Sequence, residues 1–523
     1  MTTTTSVLSV HSMFSIPRSS GILLHPTSLP GRFGIGEIGP EAHQWLDALH
    51  RMGQKLWQML PLGPTGFGAS PYQSLSSFAG NPLMISFDAL RNDGVLKPQD
   101  LAMIPAFPDH KVDFLAADEV RSAFLKLACQ RFMAQCDSSP LLQHAFDAFC
   151  ERQADWLDDY ALFIAIKAEQ GGRTWNDWPP ELSMRHPEAM ADAMVRLSEA
   201  IEEVKAQQFF FFRQWQKLHA RAQELGISLI GDIPIFTAHD SADVWARPDL
   251  FELDERGNPI VVAGVPPDYF SATGQRWGNP LYKWSAHEAE GFAWWKARLR
   301  KTLEMVDIVR IDHFRGFAAY WEIPAAEPTA VNGRWVGAPG DALFEALKGE
   351  MGEHVPVIAE DLGIITPDVT ELRLRHGFPG MKVMQFAFGA DTISEDYIPE
   401  NYPDESVAYT GTHDNDTVQG LFNSGVGDDT TRTAEQVEAE RRTILGYTHT
   451  DGSDLHWDFI KCVWNSRSRM AVAPVQDLMG LGSESRMNTP GKMGDFWSWR
   501  FTWDQLTPDI EAQMLAITRE AGR

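Results

Sequence analysis

Eight short apolar runs, each closing on a polar or conformationally special residue, constrain this chain more than any other feature of its 523 residues. They lie at 21–25, 56–61, 228–236, 307–314, 355–363, 381–388, 406–414 and 470–477. Their length and their content of Val, Ile and Leu suit strands buried on both faces. Helical periodicity fills several of the intervals, as at 40–52, 201–225 and 286–305. Strand and helix in alternation imply parallel strands joined by right-handed crossovers. Eight such units predict an α/β chain folded as a (β/α)8 TIM barrel, with its site at the C-terminal strand ends.

Three of these runs carry an acid where the strand stops: Asp312 in Asp307-Ile308-Val309-Arg310-Ile311-Asp312, Glu360 in Val355-Pro356-Val357-Ile358-Ala359-Glu360, and Asp414 in Tyr409-Thr410-Gly411-Thr412-His413-Asp414. An unpaired charge is too costly for a core, so a carboxylate there is placed for water or a ligand. The interval from Asp312 to Glu360 holds one strand–helix repeat, and that from Glu360 to Asp414 contains the 381–388 run. The acids therefore close strands four, five and seven.

The intervals also show where the barrel is interrupted. The catalytic barrel is expected over 21–523, after a disordered, Ser- and Thr-rich tail at 1–20. Residues 62–225 are too many for a loop, and mostly read as a helical insertion. Residues 237–300 have little periodicity over most of their length and much Gly, Pro and aromatic content, which suits an ordered active-site loop insertion. A short C-terminal helix starting at Pro508, with Thr507 as N-cap, leaves no room for a separate C-terminal β-domain.

Charge narrows the partners. Forty-five basic against 71 acidic residues give −26, which argues against nucleic acid or an anionic membrane and suits a neutral substrate. No apolar stretch reaches the roughly 18 residues of a membrane span. Cys129, Cys136, Cys150 and Cys462 show no CxxC spacing; core packing suits Cys129 and Cys136, and few cysteines with no disulfide framework suit a reducing cytoplasm. No metal-ligand motif and no cofactor is called for, and a monomer or weak homo-oligomer is expected.

Carboxylates at a barrel mouth, with a neutral substrate and no metal, suggest glycosidic bond chemistry. One carboxylic acid protonates the leaving oxygen, while a carboxylate on the other face attacks or activates water. A third can grip sugar hydroxyls as charge develops. Arg310 precedes Asp312 by two residues, on the same side of an extended strand, and can hold it ionised as nucleophile. Glu360 takes the acid–base role, which needs a raised pKa. His413 can donate to a sugar hydroxyl. Taken singly, Arg310 with Asp312 could be a rim ion pair, Glu360 and Asp361 first-turn acids, and His413 a loop histidine. Together those alternatives need three coincidences at one end of one fold.

Arg310-Ile311-Asp312, Glu360 and His413-Asp414 resemble the catalytic pattern of the α-amylase superfamily. The surrounding stretches resemble its 4-α-glucanotransferase branch, the amylomaltases or disproportionating enzymes. They are Ser70-Pro71-Tyr72-Gln73, Ala79-Gly80-Asn81-Pro82, Gly231-Asp232-Ile233-Pro234-Ile235, Ala263 to Ser271, Gly274-Gln275-Arg276-Trp277-Gly278-Asn279-Pro280 and Thr412-His413-Asp414-Asn415-Asp416-Thr417. The resemblance implies retaining transfer of α-1,4-glucan segments from maltooligosaccharide, starch or glycogen donors to the 4-hydroxyl of another glucan, with cyclisation as a side activity. It implies Asp312 as nucleophile, Glu360 as acid and base, and Asp414 as transition-state stabiliser. Asp232, Arg310 and His413 would line the donor site, and Tyr72 would stack on a sugar. The loop carrying Asp268, with Gln275 and Trp277, would cover the site and contact the acceptor. Phe67 would mark a second, remote glucan site. Leu421 and Asp495-Phe496-Trp497 depart from the family's usual residues and bear on acceptor length or local packing.

Overall fold

The computed structural model describes residues 17–267, 271–389, 392–425, 433–492 and 494–523, with Phe67 described by its backbone alone. Most of the tail expected at 1–20 lies outside these residues, but chain pairing begins earlier than expected. The first strand runs from Ser19 to Leu23.

Eight parallel strands close into a barrel. In chain order they are β1 (Ser19–Leu23), β2 (Leu56–Gln58), β3 (Ser228–Pro234), β4 (Ile308–Asp312), β5 (Val357–Ala359), β6 (Gly380–Val383), β7 (Ser406–Tyr409) and β8 (Met470–Pro474). Each pairs with its sequential neighbours, and β8 returns to β1 in register from Ser19 opposite Met470 to Leu23 opposite Pro474. Inside, every strand contributes to one apolar cluster: Leu23, Leu56, Ile230, Ile308, Ile358, Met381, Val407 and Met470. Burying such a side chain stabilises by roughly 1.5–3 kcal/mol. Alternation then fixes the mouth, since Ile308, Arg310 and Asp312 share one side of β4. The register sets Asp232 opposite Arg310 and Pro234 opposite Asp312.

Between β2 and β3 the chain forms three long helices, Phe114–Ser138, Pro140–Glu169 and Ser198–Glu224. Ser139 caps the second by accepting from the Leu142 amide, and Pro140 starts it, which separates two runs that would otherwise fuse. Phe132, Phe146 and Phe149 pack edge-on or tilted against Phe209. A buried ion pair, Arg121 to Glu37 at 2.7 Å, ties this helical body to the loop after β1.

The 237–300 segment departs from the loop expected there. Val261–Val265 and Gln275–Pro280 are strands of a four-stranded antiparallel sheet completed by Ala319–Pro324 and Arg334–Gly337. Each half is an antiparallel hairpin, but the two halves flank β4 in sequence, and a register shift between Val262 and Gly264 breaks the alternation in the first. At the other end, Pro508–Glu520 forms the C-terminal helix, with the Thr507 hydroxyl accepting from the Ile510 amide. Among the described residues no helix is long and apolar enough to cross a membrane.

Candidate active site

Arg310 organises the mouth. Its Nη1 donates to both oxygens of Asp232, at 2.8 and 2.7 Å, and its Nη2 donates to Asp312 at 2.9 Å. The expected bond to Asp312 is present, but the guanidinium is shared with a second carboxylate set opposite it by strand register. Burial works against the charge on Arg310, yet Asp232 and then Asp312 raise its pKa well above the usual value. Asp232 also accepts from the Tyr72 hydroxyl at 2.7 Å. That hydroxyl lies 3.0 Å from His413 Nε2, and the two rings stack with centroids 5.3 Å apart. Arg310, Asp232, Tyr72 and His413 thus form one continuous network.

Glu360 follows β5 directly, and both its carboxyl oxygens accept backbone hydrogens. The Leu362 amide donates to Oε1 at 2.8 Å and the His313 amide to Oε2 at 2.7 Å. His313 reaches that position with φ 54° and ψ 48°, a left-handed conformation costly for a residue with a Cβ. Burial pushes the Glu360 pKa up to about 7, with the Asp312 charge adding to it, against Arg310 and the two amides. Burial likewise raises Asp312, opposed first by Arg310.

Asp414 lies past β7, 3.4 Å from His413 Nε2 through its Oδ1. The same oxygen accepts from the Asn488 side-chain amide at 2.6 Å, and the Arg486 guanidinium donates to the Asp414 carbonyl at 2.6 Å. Asn488 and Arg486 escaped the sequence reading. The only signal there was a polar, turn-rich stretch, Arg486-Met487-Asn488-Thr489-Pro490-Gly491, beyond the last barrel strand. Trp497, part of the departure that bears on acceptor length or local packing, has its ring 5.8 Å from that of Tyr72 and 5.9 Å from that of His413.

The antiparallel sheet reaches this cluster through Trp277, whose ring meets His313 edge-on at 4.8 Å. The Trp277 indole donates to the Gln275 side-chain oxygen at 3.1 Å. Asp268 and the Phe67 side chain lie outside the described residues. Among the described residues no cluster of His, Cys, Asp and Glu could hold a metal ion. What is assembled is a nucleophile candidate, a carboxyl that gains and loses a proton near neutrality, and a third carboxylate held by an amide.

A family model described as 4-alpha-glucanotransferase, glycoside hydrolase family 77, matches residues 24–507. The 4-alpha-glucanotransferase of Thermus thermophilus is 49% identical over 97% of this chain and 99% of its own. The chloroplastic/amyloplastic 4-alpha-glucanotransferase of Solanum tuberosum is 40% identical, over 95% of this chain and 85% of its own. Among solved structures, an amylomaltase from Streptococcus agalactiae in complex with acarbose superposes with a TM-score of 0.91 at 37% identity, over 97% of this chain and 99% of that one.

Proposed function

The chain belongs to the 4-alpha-glucanotransferase family, and on that premise we propose a retaining double displacement on α-1,4-glucans with Asp312, Glu360 and Asp414 in its three roles. Asp312 attacks the anomeric carbon of the donor. Glu360 gives its proton to the departing 4-oxygen, so the leaving glucan departs neutral and a glycosyl ester remains on Asp312. The ionised Glu360 then takes the proton from the 4-hydroxyl of an incoming glucan, which attacks the same carbon and frees Asp312. Asp414, oriented by Asn488, grips sugar hydroxyls as positive charge builds at the ring. Asp232, Arg310, His413 and Tyr72 bind the donor sugar, while Gln275, Trp277 and the segment carrying Asp268 face the acceptor.

One observation carries this assignment: Asp312 ends β4 and Glu360 directly follows the neighbouring β5, where burial, with the Asp312 charge adding to it, pushes Glu360 up to about 7. That value suits a group that must act as acid and then as base. The covering sheet supports transfer over hydrolysis, because the glycosyl ester must meet a sugar before it meets water. A long glucan that supplies its own acceptor gives a cyclic product by the same steps. No cofactor enters this chemistry.

The test is incubation with maltotriose, following glucose and longer oligosaccharides together, beside an Asp312→Asn control. Longer products plus glucose with no net gain in reducing ends, abolished in the control, is the expected result. Rising reducing ends without longer products would mean a hydrolase.

A further inference from the structure

We propose that Trp335, backed by the Arg315 guanidinium, is a stacking platform for the outer sugars of the acceptor glucan; this rests on the assignment of Glu360 above. Trp335 sits on Arg334–Gly337, the edge strand of the covering sheet, with 42% of its surface exposed. A single exposed indole is unremarkable by itself. What distinguishes this one is its support. The Arg315 guanidinium carbon lies 3.9 Å from the ring centroid, and Trp321 braces the ring at 5.2 Å and 67°.

Arg315 is not a loose surface cation. It is 9% exposed and donates to the Ile364 carbonyl, while its Nε has no hydrogen-bond partner among the described residues. The guanidinium therefore occupies one face of the indole and fixes its orientation, so a ligand stacking on Trp335 has little side-chain freedom to remove. Apolar sugar faces are the ligand chemistry such a surface suits.

The side of the cleft follows from the reaction. Glu360 exchanges its proton with the oxygen that joins donor to leaving or incoming chain, so that chain passes the segment after Glu360. Ile364 lies in that segment, is 67% exposed, and is held by the same Arg315. Three residues from Asp312 to Arg315 and four from Glu360 to Ile364 span at most about 11 Å and about 14 Å of chain. Trp335 is thus one buried side chain removed from both catalytic loops, within reach of an oligosaccharide whose first sugar meets Glu360.

The experiment uses amylose as donor and compares glucose with maltotetraose as acceptors. In Trp335→Ala the preference for maltotetraose, read as the ratio of acceptor KM values, falls by about threefold to tenfold. Trp335→Phe, which keeps a ring over Arg315, lies between Ala and the parent. Should Ala fail to fold, Trp335→Leu supplies the ring-free comparison. Equal KM changes for both acceptors, or an unchanged ratio, would overturn the platform. If Glu360→Gln retains full transfer, the catalytic assignment fails and this inference with it; if Glu360→Gln is inactive and the ratio is unmoved, only the platform fails.

Discussion

Asn488 holds Asp414 by a 2.6 Å amide-to-carboxylate hydrogen bond across 74 residues of chain. Its backbone amide also reaches the His413 carbonyl at 3.2 Å. The loop beyond β8 therefore clamps the loop beyond β7 at His413 and Asp414. A hydrogen bond to a charged group is worth about 1.5–3 kcal/mol. Asn488→Ala should lower kcat/KM for disproportionation about tenfold to a hundredfold, with the fold intact by circular dichroism. Asn488→Asp should do worse at neutral pH, where it sets a like charge beside Asp414, and recover in part on acidification.

Loss of the nucleophile is the severest single change. Asp312→Asn should cost at least about 10³-fold in kcat, measured as glucose released from maltotriose. Asp312 is half-buried beside Arg310, and the isosteric amide keeps one acceptor for Nη2, so the melting temperature should change little.

The Glu360 pKa predicts two pH dependences. Since the acid form protonates the leaving oxygen, kcat/KM should fall on an alkaline limb near pH 7, the value to which burial and Asp312 raise this group. The folded pKa stands above the unfolded one, so folding holds the proton more tightly, and the resulting stability is lost as pH climbs from about 4.5 through 7. Glu360→Gln abolishes that dependence. The melting temperature of the variant minus that of the parent should rise between pH 5 and pH 8, by about 1–3 °C. A flat difference would place the acid–base group elsewhere.

Tyr72→Phe keeps the ring that stacks on His413 and deletes the hydroxyl that joins His413 to Asp232. Asp232 retains Arg310, so the fold should stand. Donor KM should rise and kcat fall, together lowering kcat/KM about tenfold, in a maltotriose titration.

Away from the mouth, Arg121→Met leaves the Glu37 carboxyl buried and unpaired. Removing one partner of such a pair costs about 3–5 kcal/mol, which urea unfolding at pH 7 should read as a lower midpoint. Activity below the transition should match the parent, because among the described residues Arg121 bonds to Phe33, Glu37 and Ile85, away from the mouth. The double change with Glu37→Gln should recover part of the loss.

The place of two acids at the barrel mouth was legible as a local pattern, since Asp312 ends β4 and Glu360 directly follows β5, whereas Asp414, expected to close its strand, stands five residues beyond Tyr409. Arg310 was legible as a neighbour of Asp312 because i and i+2 share a strand face. Its stronger tie to Asp232 depends on β3–β4 register, which local sequence does not specify. Asn488 was invisible for the same reason at longer range, since nothing near residue 488 marks it as a neighbour of Asp414. The covering sheet was missed because its inner partner for Val261–Val265 is Ala319–Pro324, beyond a whole barrel strand. The left-handed turn at His313 carries no glycine to announce it; only the demand that an amide face Glu360 accounts for it.

The seam between β1 and β8 sets a schedule for the ribosome. Strand β1 emerges with only β2 to cover one of its edges, and its other edge waits for Met470–Pro474. At about 5–20 residues per second that wait is roughly 20–90 s. Throughout it an apolar edge stands open in the nascent chain, the kind of edge that invites pairing with another chain. Slower elongation or a pause before β8 should therefore cost yield of active protein through aggregation, with every codon still read correctly.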